Sequence, residues 1–573
     1  MKKPLFVVLT FLLGCNLMLE AQSAAPTLRK QGTATQLIVE GKPFLMLAGE
    51  LHNSSTSSIE YMEPIWPQMA AKNLNTVLAV VAWEQLEPVE GRFDFTLVDA
   101  MIRGAEKSNL KLVLLWFGSW KNGGSIYMPS WVKKDYKRFP RAQNEKGESI
   151  EILSTLSENS MKADAKAFAA LMKHLKEFDK NYTVLMVQVE NEMGILNTVR
   201  DFSPAANAAF NGEIPADLSA FLSKNKNNLG AELSKVWKAN GSKTKGTWEE
   251  VFGRSTVNHS DWRAMSFYTE ELFMAYHYAK YVGYIAAEGK KEYDIPLYVN
   301  AWLKGPDYPW TGRFPGGGPL PQVMDMWHCG APAIDFLSPD IYLPIFTEVV
   351  ANYDRLGNAI FVPETRGGAI GASRLLWALG EHNLIGFSPF GIDGRRGAPA
   401  PTPVPTGAPV TGTNAPRPVQ TVAGDPLADT YALLEGMTPM ITAHQGKGTI
   451  RGMFIDQDNP TQSFELGDYI VTADASSPRT IEANPAGGLI INLGKDEYIV
   501  IARGLNVRFA PKVPGNEPLI GIDKVYEGVF DNAGNWKPGR LLNGDETHCS
   551  TFSGTGLKMP GLSIQRITLY RYK

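Results

Sequence analysis

The alternation of short apolar runs with helical stretches constrains the fold of this chain more than any other feature. Eight runs have continuous rather than alternating hydrophobicity, at residues 44–52, 76–83, 111–117, 183–192, 296–302, 335–342, 360–364 and 385–392. Such runs are typical of strands that are buried on both faces. The clearest intervening helix is predicted over 160–178, where apolar residues recur at three- and four-residue steps. Eight strands with helices between them predict an α/β fold, a (β/α)8 TIM barrel.

The same pattern divides the chain into domains. The barrel is predicted over residues 26–445, with extra helical pattern at 198–265. A stretch at 394–425 rich in Pro, Gly, Ala and Thr cannot bury much apolar surface, so we predict a long surface loop there, with a lid as the alternative. Over 446–573, short β-type runs are split by Gly, Asn and Asp turns, which predicts an accessory all-β domain of the sandwich type.

The N-terminal residues 1–25 have the pattern of a signal peptide. Two lysines precede an apolar run that is too short for a permanent membrane anchor, and small residues follow. The Leu-Leu-Gly-Cys segment at 12–15 also resembles a lipoprotein processing site, with Cys15 as the acylated residue; cleavage after Ala21 or Ala25 is the alternative. We therefore expect an exported protein, periplasmic, outer-membrane-associated or extracellular, without a transmembrane helix.

The net charge bears on nucleic-acid binding, and the cysteine content bears on disulfides and metal sites. A net charge of -3 over 573 residues gives no electrostatic footprint for nucleic acid. Apart from Cys15, the cysteines are Cys329 and Cys549, in different predicted domains, and we expect free thiols. No Cys/His cluster has the spacing of a zinc site, so no metal is predicted. Neither composition nor motifs indicate an oligomeric state.

Two glutamates lie at predicted strand ends, where barrel enzymes place their catalytic groups. Strand four ends at Glu192, and strand seven ends at Glu364 after Pro363, which lacks the N–H needed to extend the ladder. Either glutamate alone is equally consistent with a salt bridge or a helix cap. Together, on different strands, they are the pair that glycoside hydrolysis requires. Glu190 is a rival to Glu192, but it lies deeper in the strand and is interpreted as a supporting residue.

Aromatic and amide side chains follow the other strands, a mixture that suits a sugar site because flat apolar faces occur beside directed hydrogen-bonding groups. Any one of them is more often a packing residue than a ligand contact. The candidate substrate contacts are Trp83, Trp120, Asn122, Asn300 and Tyr342. Of these, Tyr342 is the best candidate for a hydrogen bond to the nucleophile.

Residues 188–194 read Gln-Val-Glu-Asn-Glu-Met-Gly and resemble the Gln-Val-Glu-Asn-Glu-Tyr-Gly signature of the β-galactosidases of glycoside hydrolase family thirty-five. The Trp…Glu-Pro…Gly…Phe segment at 83–95 and Gly-Glu-Leu-His at 49–52 are also similar to that family, over roughly residues 30–445. The resemblance implies a retaining double displacement on an oligo- or polysaccharide, with Glu192 as acid/base and Glu364 as nucleophile. It implies that Asn191 contacts the sugar 2-hydroxyl, and it implies no metal or organic cofactor.

The sequence departs from that family at three places. Met193 replaces the usual aromatic residue, 116–120 lacks the Arg-Pro-Gly-Pro-Tyr run, and 338–342 reads Ser-Pro-Asp-Ile-Tyr instead of Ser-Tyr-Asp-Tyr-Asp. The chain resembles the bacterial branch with a β-rich C-terminal domain, which includes xyloglucan side-chain galactosidases, so we expect a plant-type glycan. The open alternatives are another β-glycosidase, such as a glucosidase or arabinosidase, and a carbohydrate-binding barrel without catalysis. Strict alternation points Asn191 outward, so its role requires the strand to curl at its end.

Overall fold

The computed structural model describes residues 25–394, 424–513, 515–550 and 554–573. Most of the predicted leader, including Cys15, and positions 395–423 of the predicted loop lie outside the described residues. Cys329 is a free thiol.

The predicted eight-stranded barrel is confirmed. The strands up to residue 394 are β1 (Thr27–Gln31), β2 (Ala34–Val39), β3 (Lys42–Phe44), β4 (Met46–Glu50), β5 (Thr76–Ala82), β6 (Lys111–Lys121), β7 (Arg141–Gln143), β8 (Ser149–Leu153), β9 (Val184–Asn191), β10 (Leu297–Trp302), β11 (Phe336–Ile341), β12 (Phe361–Thr365) and β13 (Gly386–Pro389). Strands β4, β5, β6 and β9 to β13 pair in parallel and close on themselves in that order. The N-terminal β1–β3 and the β7–β8 hairpin are small antiparallel sheets outside the barrel.

Helices follow most barrel strands. They are α1 (Ile59–Met62), α2 (Ile65–Ala71), α3 (Trp83–Leu86), α4 (Thr96–Lys107), α5 (Ser130–Lys134), α6 (Glu158–Phe178), α7 (Pro204–Asn211), α8 (Ala216–Asn225), α9 (Ala231–Ala239), α10 (Trp248–Phe252), α11 (Tyr268–Glu292), α12 (Met324–Gly330), α13 (Phe346–Tyr353), α14 (Gly368–His382) and α15 (Pro426–His444). Helix α6 begins just before the predicted 160–178 because Ser157 caps it, its side chain accepting from the Ser160 N–H. Helices α7 to α10 occupy the predicted insertion at 198–265. None of the helices in the described ranges is long and apolar enough to cross a membrane.

The C-terminal region is built from two antiparallel sheets. Its elements are β14 (Ile450–Ile455), β15 (Thr461–Leu466), β16 (Tyr469–Ala475), α16 (Pro478–Ala483), β17 (Ala486–Gly494), β18 (Glu497–Arg503), β19 (Leu505–Pro511), β20 (Leu519–Phe530), β21 (Trp536–Leu541), β22 (Thr547–Ser550), β23 (Gly554–Met559) and β24 (Ser563–Tyr572). The sheets have the orders β14-β17-β18-β24-β20-β21 and β15-β16-β19-β23-β22 and share one apolar core. The predicted β-rich domain is therefore confirmed.

This domain packs against the barrel through α14, the helix that follows β12. Arg451 of β14 forms a two-point ion pair with Glu381 of α14, with both nitrogen–oxygen distances 2.9 Å. Gly452 approaches the Trp377 backbone so closely that a Cβ at 452 would lie 2.1 Å from the Trp377 carbonyl oxygen. The contact therefore braces the helix next to the strand that carries Glu364.

Candidate active site

The two predicted catalytic glutamates converge at the carboxyl ends of the barrel strands. Glu192 follows β9, and Glu364 lies in β12, three strands away around the barrel. Their carboxylate oxygens and one from Asp340, in β11, all lie within 4.8 Å of one another. Glu192 is 7% exposed and Glu364 is 5% exposed. The structure therefore forms a buried carboxylate cluster at the end of the barrel where this fold performs chemistry.

The backbone turns sharply at the end of β9. Glu190 and Glu192 have φ angles of 63° and 44°, in the left-handed region, which costs a non-glycine residue about 1–3 kcal/mol. Because side-chain alternation requires extended backbone, it no longer holds here. The strand end therefore curls, which is the condition that the role of Asn191 requires, and Asn191 is completely buried next to the carboxylate cluster.

Neighbouring segments hold this turn in place. The Asn122 N–H donates to the Asn191 carbonyl at 3.2 Å, and the Gly123 N–H donates to the Glu192 carbonyl at 3.0 Å. From the other side, the Glu192 N–H donates to Asn300 Oδ1 at 2.9 Å. Asn122 through its backbone and Asn300 through its side chain therefore hold the strained backbone, and their contact with substrate stays a prediction. The Asn122 residue is exposed.

A tyrosine connects the nucleophile candidate to the surface. The Tyr342 hydroxyl donates to Glu364 Oε2 at 2.8 Å, which is the predicted hydrogen bond. Tyr342 is 38% exposed, so Glu364 lies directly beneath an accessible ring. Burial, and then the Glu364 charge, raise the pKa of Tyr342, which keeps its hydroxyl a neutral donor.

Burial and like charge set the protonation of the cluster. Burial is the larger cause of the raised pKa of Glu192, which is about 7, and the Glu364 charge is the second. The pKa of Asp340 is raised well above its usual range by burial and then by Glu364 and Glu192. Glu50, at the end of β4, has a raised pKa for the same reasons, burial first and Glu364 next. Several carboxyls this close cannot all be ionised at neutral pH, so Glu192 is held near its protonated form.

The Lys121 ammonium group lies beside these acids. Lys121, the last residue of β6, is 6% exposed. Its Nζ donates to Asn191 Oδ1 at 2.7 Å and lies 4.8 Å from the centroid of the Phe117 ring. Its charge lowers the pKa of both Glu50 and Glu192, which opposes the effect of burial. Lys121 was not predicted from the sequence, because the predicted strand ended at 117.

The structure does not bring two of the predicted substrate contacts to the site. Trp83 and Trp120 are completely buried. The Trp83 indole donates to Glu87 Oε2 at 2.8 Å, and Glu87 also accepts from the Gly91 N–H at 2.7 Å. Trp120 packs against the Tyr281 ring at 4.5 Å between centroids. Neither indole offers a free face for a sugar ring, so both are core residues. The Trp…Glu-Pro…Gly segment is held together by the hydrogen bonds of Glu87 and has a structural role.

A second pair of carboxyls lies beneath the cluster. Glu190 Oε1 and Asp164 Oδ2 both accept from the Ser119 N–H, at 3.1 and 2.9 Å. Burial and the Asp164 charge raise the pKa of Glu190 well above its usual range. Burial and the neighbouring charge therefore favour the neutral form of Glu190, and its supporting role below Glu192 stays a prediction.

A metal is the other group that such a cluster could hold, since three carboxylate oxygens are ligands that a hard divalent cation uses. The candidate ligands are Glu192, Asp340 and Glu364. The raised pKa values of Glu192 and Asp340 indicate that protons can relieve the repulsion instead.

Two family models match the chain. Residues 55–278 match a glycoside hydrolase family forty-two model described as "Beta-galactosidase", and residues 427–553 match a model described as "Domain of unknown function (DUF5597)". The first match covers α1 to α11 in part and includes Glu192. The sequence motifs resemble family thirty-five, so the match supports the resemblance at the broader level of β-galactosidases.

Two curated relatives are each similar over less than a third of the chain. A "Beta-galactosidase" of Xanthomonas manihotis is 28% identical over 176 residues, which are 30% of this chain and 27% of that protein. "Beta-galactosidase-1-like protein 3" of Homo sapiens is 28% identical over 174 residues, 29% of this chain and 24% of that protein. The aligned segments thus span about a quarter of each relative.

Among solved structures, the catalytic domain of a β-amylase from Paenibacillus polymyxa matches with a TM-score of 0.41 and 14% identity. The match covers 60% of this chain and 92% of that one. A β-galactosidase from Bacillus circulans sp. alkalophilus matches with a TM-score of 0.39 and 18% identity, over 60% of this chain and 50% of that one. The barrel assignment itself rests on the strand pairing given above.

Proposed function

We propose that this β-galactosidase-like chain is a retaining, exo-acting β-galactosidase that removes terminal β-galactosyl groups from plant-type oligo- or polysaccharides. The observation that carries the proposal is the convergence of Glu192 and Glu364, whose carboxylate oxygens lie within 4.8 Å. Retaining glycosidases separate their two carboxyl groups by about 5–5.5 Å, whereas inverting enzymes need about 6.5–9.5 Å to admit a water. The close spacing favours retention.

The first chemical step transfers the sugar to Glu364. Glu364 attacks the anomeric carbon while Glu192 gives its proton to the glycosidic oxygen, so the C–O bond breaks and the aglycone leaves as an alcohol. A pKa of about 7 suits Glu192 to this role, because about half of the carboxyl is still protonated at neutral pH. The Tyr342 hydroxyl holds the attacking carboxylate through its 2.8 Å hydrogen bond.

In the second step, water hydrolyses the bond between the sugar and Glu364. Once Glu364 has become a neutral glycosyl ester, its charge no longer raises the pKa of Glu192. The pKa of Glu192 then falls, which favours its ionised form, and Glu192 accepts a proton from the attacking water. The water oxygen bonds to the anomeric carbon as the bond between that carbon and Glu364 breaks, so Glu364 leaves as a carboxylate. The same electrostatic coupling therefore lets one residue act first as acid and then as base.

A panel of nitrophenyl glycosides tests the substrate. Release of nitrophenol from the β-galactoside, with little from the β-glucoside or α-L-arabinoside, supports the proposal. Preference for another sugar supports a different β-glycosidase, and release from none supports a binding barrel. Proton NMR of the first product separates mechanisms, since the β-anomer must appear first if the enzyme retains configuration. Activity unchanged by a chelator is expected, because no step uses a metal.

We also propose that the protein is exported. The proposal rests on the signal-peptide pattern of residues 1–25. Cell fractionation and the intact mass of the mature protein test it. A mature chain that begins at an acylated Cys15 supports a lipid anchor, one that begins after Ala21 or Ala25 supports a free exported enzyme, and an uncleaved cytoplasmic chain contradicts both.

A further inference from the structure

A buried lysine and a buried amide at the site share one hydrogen bond and leave other donors unused. Lys121 Nζ donates to Asn191 Oδ1 at 2.7 Å. Asn191 Nδ2 is buried and has no hydrogen-bond partner among the described residues. A buried amide nitrogen without a partner is costly, and in native proteins such a group usually marks a place where water or a ligand completes the bonding.

Lys121 also has no ion-pair partner among the residues that the structure describes. In the described part of the chain, no carboxylate oxygen lies within 4.0 Å of Lys121 Nζ. A buried ammonium has three N–H donors and is strongly hydrated in water, so burying it next to a neutral amide alone is unfavourable. Its electrostatic effect on both Glu50 and Glu192 places it in the carboxylate cluster rather than in a separate ion pair.

Two backbone irregularities occur where Lys121 and Asn191 meet. Lys121 is the register partner of Asn191, but the register between β6 and β9 shifts after Trp116. The register shift of β6 and the left-handed φ angles of Glu190 and Glu192 both occur where the two side chains make contact. Two local irregularities that meet at one hydrogen bond indicate a functional constraint.

We propose that Lys121 is a positioning residue for substrate. By occupying Asn191 Oδ1, the ammonium fixes the amide with its NH2 group turned to the sugar, so that Asn191 can only donate, to the hydroxyl next to the anomeric centre. This inference rests on the proposed function and deepens it. Asn191 touches the sugar; Lys121 acts through Asn191.

A cycle of enzyme and substrate changes tests the proposal. The enzymes are wild type and Lys121→Met, which keeps the chain length but removes the charge and the donors. The substrates are p-nitrophenyl β-galactoside and its 2-deoxy analogue. Losing a hydrogen bond oriented by a charged group is expected to lower kcat/KM of Lys121→Met on the parent substrate by about 10- to 100-fold. On the 2-deoxy substrate the two enzymes should differ by less than about threefold, because the hydroxyl is already missing.

Retained activity on the 2-deoxy substrate also shows that the variant is folded. Asn191→Ala is the second variant and should show the same selective loss; Lys111→Met, at the opposite end of β6, is the matched control and should change neither rate. An equal loss on both substrates for Lys121→Met overturns the positioning role and leaves the proposed function intact. If wild type hydrolyses another glycoside, that sugar and its 2-deoxy form replace the pair. If it hydrolyses none, both proposals fail.

Discussion

Two groups of buried carboxyls lie next to each other in this barrel, and they differ in how their hydrogen bonds are completed. In the lower pair, Asp164 accepts from the Trp116 indole and from the Ser119 N–H and hydroxyl, at 2.9, 2.9 and 2.5 Å. Glu190 accepts from the Ser119 and Trp120 N–H groups, at 3.1 and 2.7 Å. A Cβ on Gly118 would come within 2.8 Å of both carboxyls, so the glycine makes room for them.

The upper group consists of the carboxylate cluster and Glu50, and its hydrogen bonds are not all completed. Glu50, Asp340 and Glu364 each have one buried carboxylate oxygen without a hydrogen-bond partner in the part of the chain that the structure describes. Both groups are buried, and the pKa is raised for Glu50 and Asp340 in the upper group as it is for Asp164 and Glu190 in the lower pair. Neither burial nor a raised pKa therefore separates structure from function here. Completion of hydrogen bonds does separate them, because a scaffold gains from satisfying its polar groups whereas a site must leave some for its substrate.

The largest effect that tests this contrast is removal of the nucleophile. Glu364→Ala is expected to lower kcat by roughly 10⁴-fold or more, as loss of a covalent nucleophile does in other enzymes. Azide should restore part of the turnover and give an α-configured glycosyl azide, since it attacks from the vacated side. Glu84→Ala, which removes an exposed carboxylate paired with Lys133, is the control and should leave turnover unchanged. A Glu364→Ala enzyme with near-normal activity would contradict the assignment.

Removal of the acid/base should have a smaller effect that depends on the leaving group. Glu192→Ala is expected to slow natural-type glycosides by about 10²- to 10⁴-fold. Activated aryl glycosides need little protonation, so their first step should lose far less. The measurement is a plot of kcat/KM against leaving-group pKa for wild type and variant. An equal loss on all substrates contradicts the role of Glu192.

A smaller and graded effect is expected from pH. The proton donor is the neutral form of Glu192, and its pKa is raised to about 7. The protonated fraction is therefore complete well below pH 7 and falls tenfold for each unit above it, so kcat/KM for unactivated substrates should decline on the basic side near pH 7. In Glu192→Ala this limb should disappear. A basic limb that persists unchanged in the variant belongs to another group.

The sequence was sufficient to predict the barrel and the level at which each residue lies along a strand. Glu192, Glu364 and Tyr342 were found because continuous apolar runs mark buried strands and chemistry lies at their ends. Strand-end position also included Glu50 and Asp340 among many polar residues, but only their spatial convergence shows that they join the cluster.

The sequence did not predict the direction in which side chains at the strand ends point. Trp83 lies at a strand end but begins helix α3, and this turn sends its indole into the core rather than to a sugar. Lys121 was missed because β6 runs to that residue through a register shift that has no apolar pattern. The left-handed φ angles of Glu190 and Glu192 are set by hydrogen bonds from other strands, which no local pattern encodes.

The smallest catalytic effect is expected in the lower pair. Because burial and the Asp164 charge favour the neutral form of Glu190, Glu190→Gln keeps a donor toward Asp164 and loses one acceptor, so the free energy of unfolding should fall by about 1–3 kcal/mol. Its kcat should stay within tenfold of wild type, since the amide still fills the space beneath Glu192. Glu190→Ala should destabilise more, because it leaves the Ser119 and Trp120 N–H groups without this acceptor. Chemical denaturation and kcat, measured side by side, decide the matter: if Glu190→Gln loses turnover as Glu364→Ala does while its stability is unchanged, then the lower pair takes part in the chemistry, and completed hydrogen bonds do not distinguish scaffold from site.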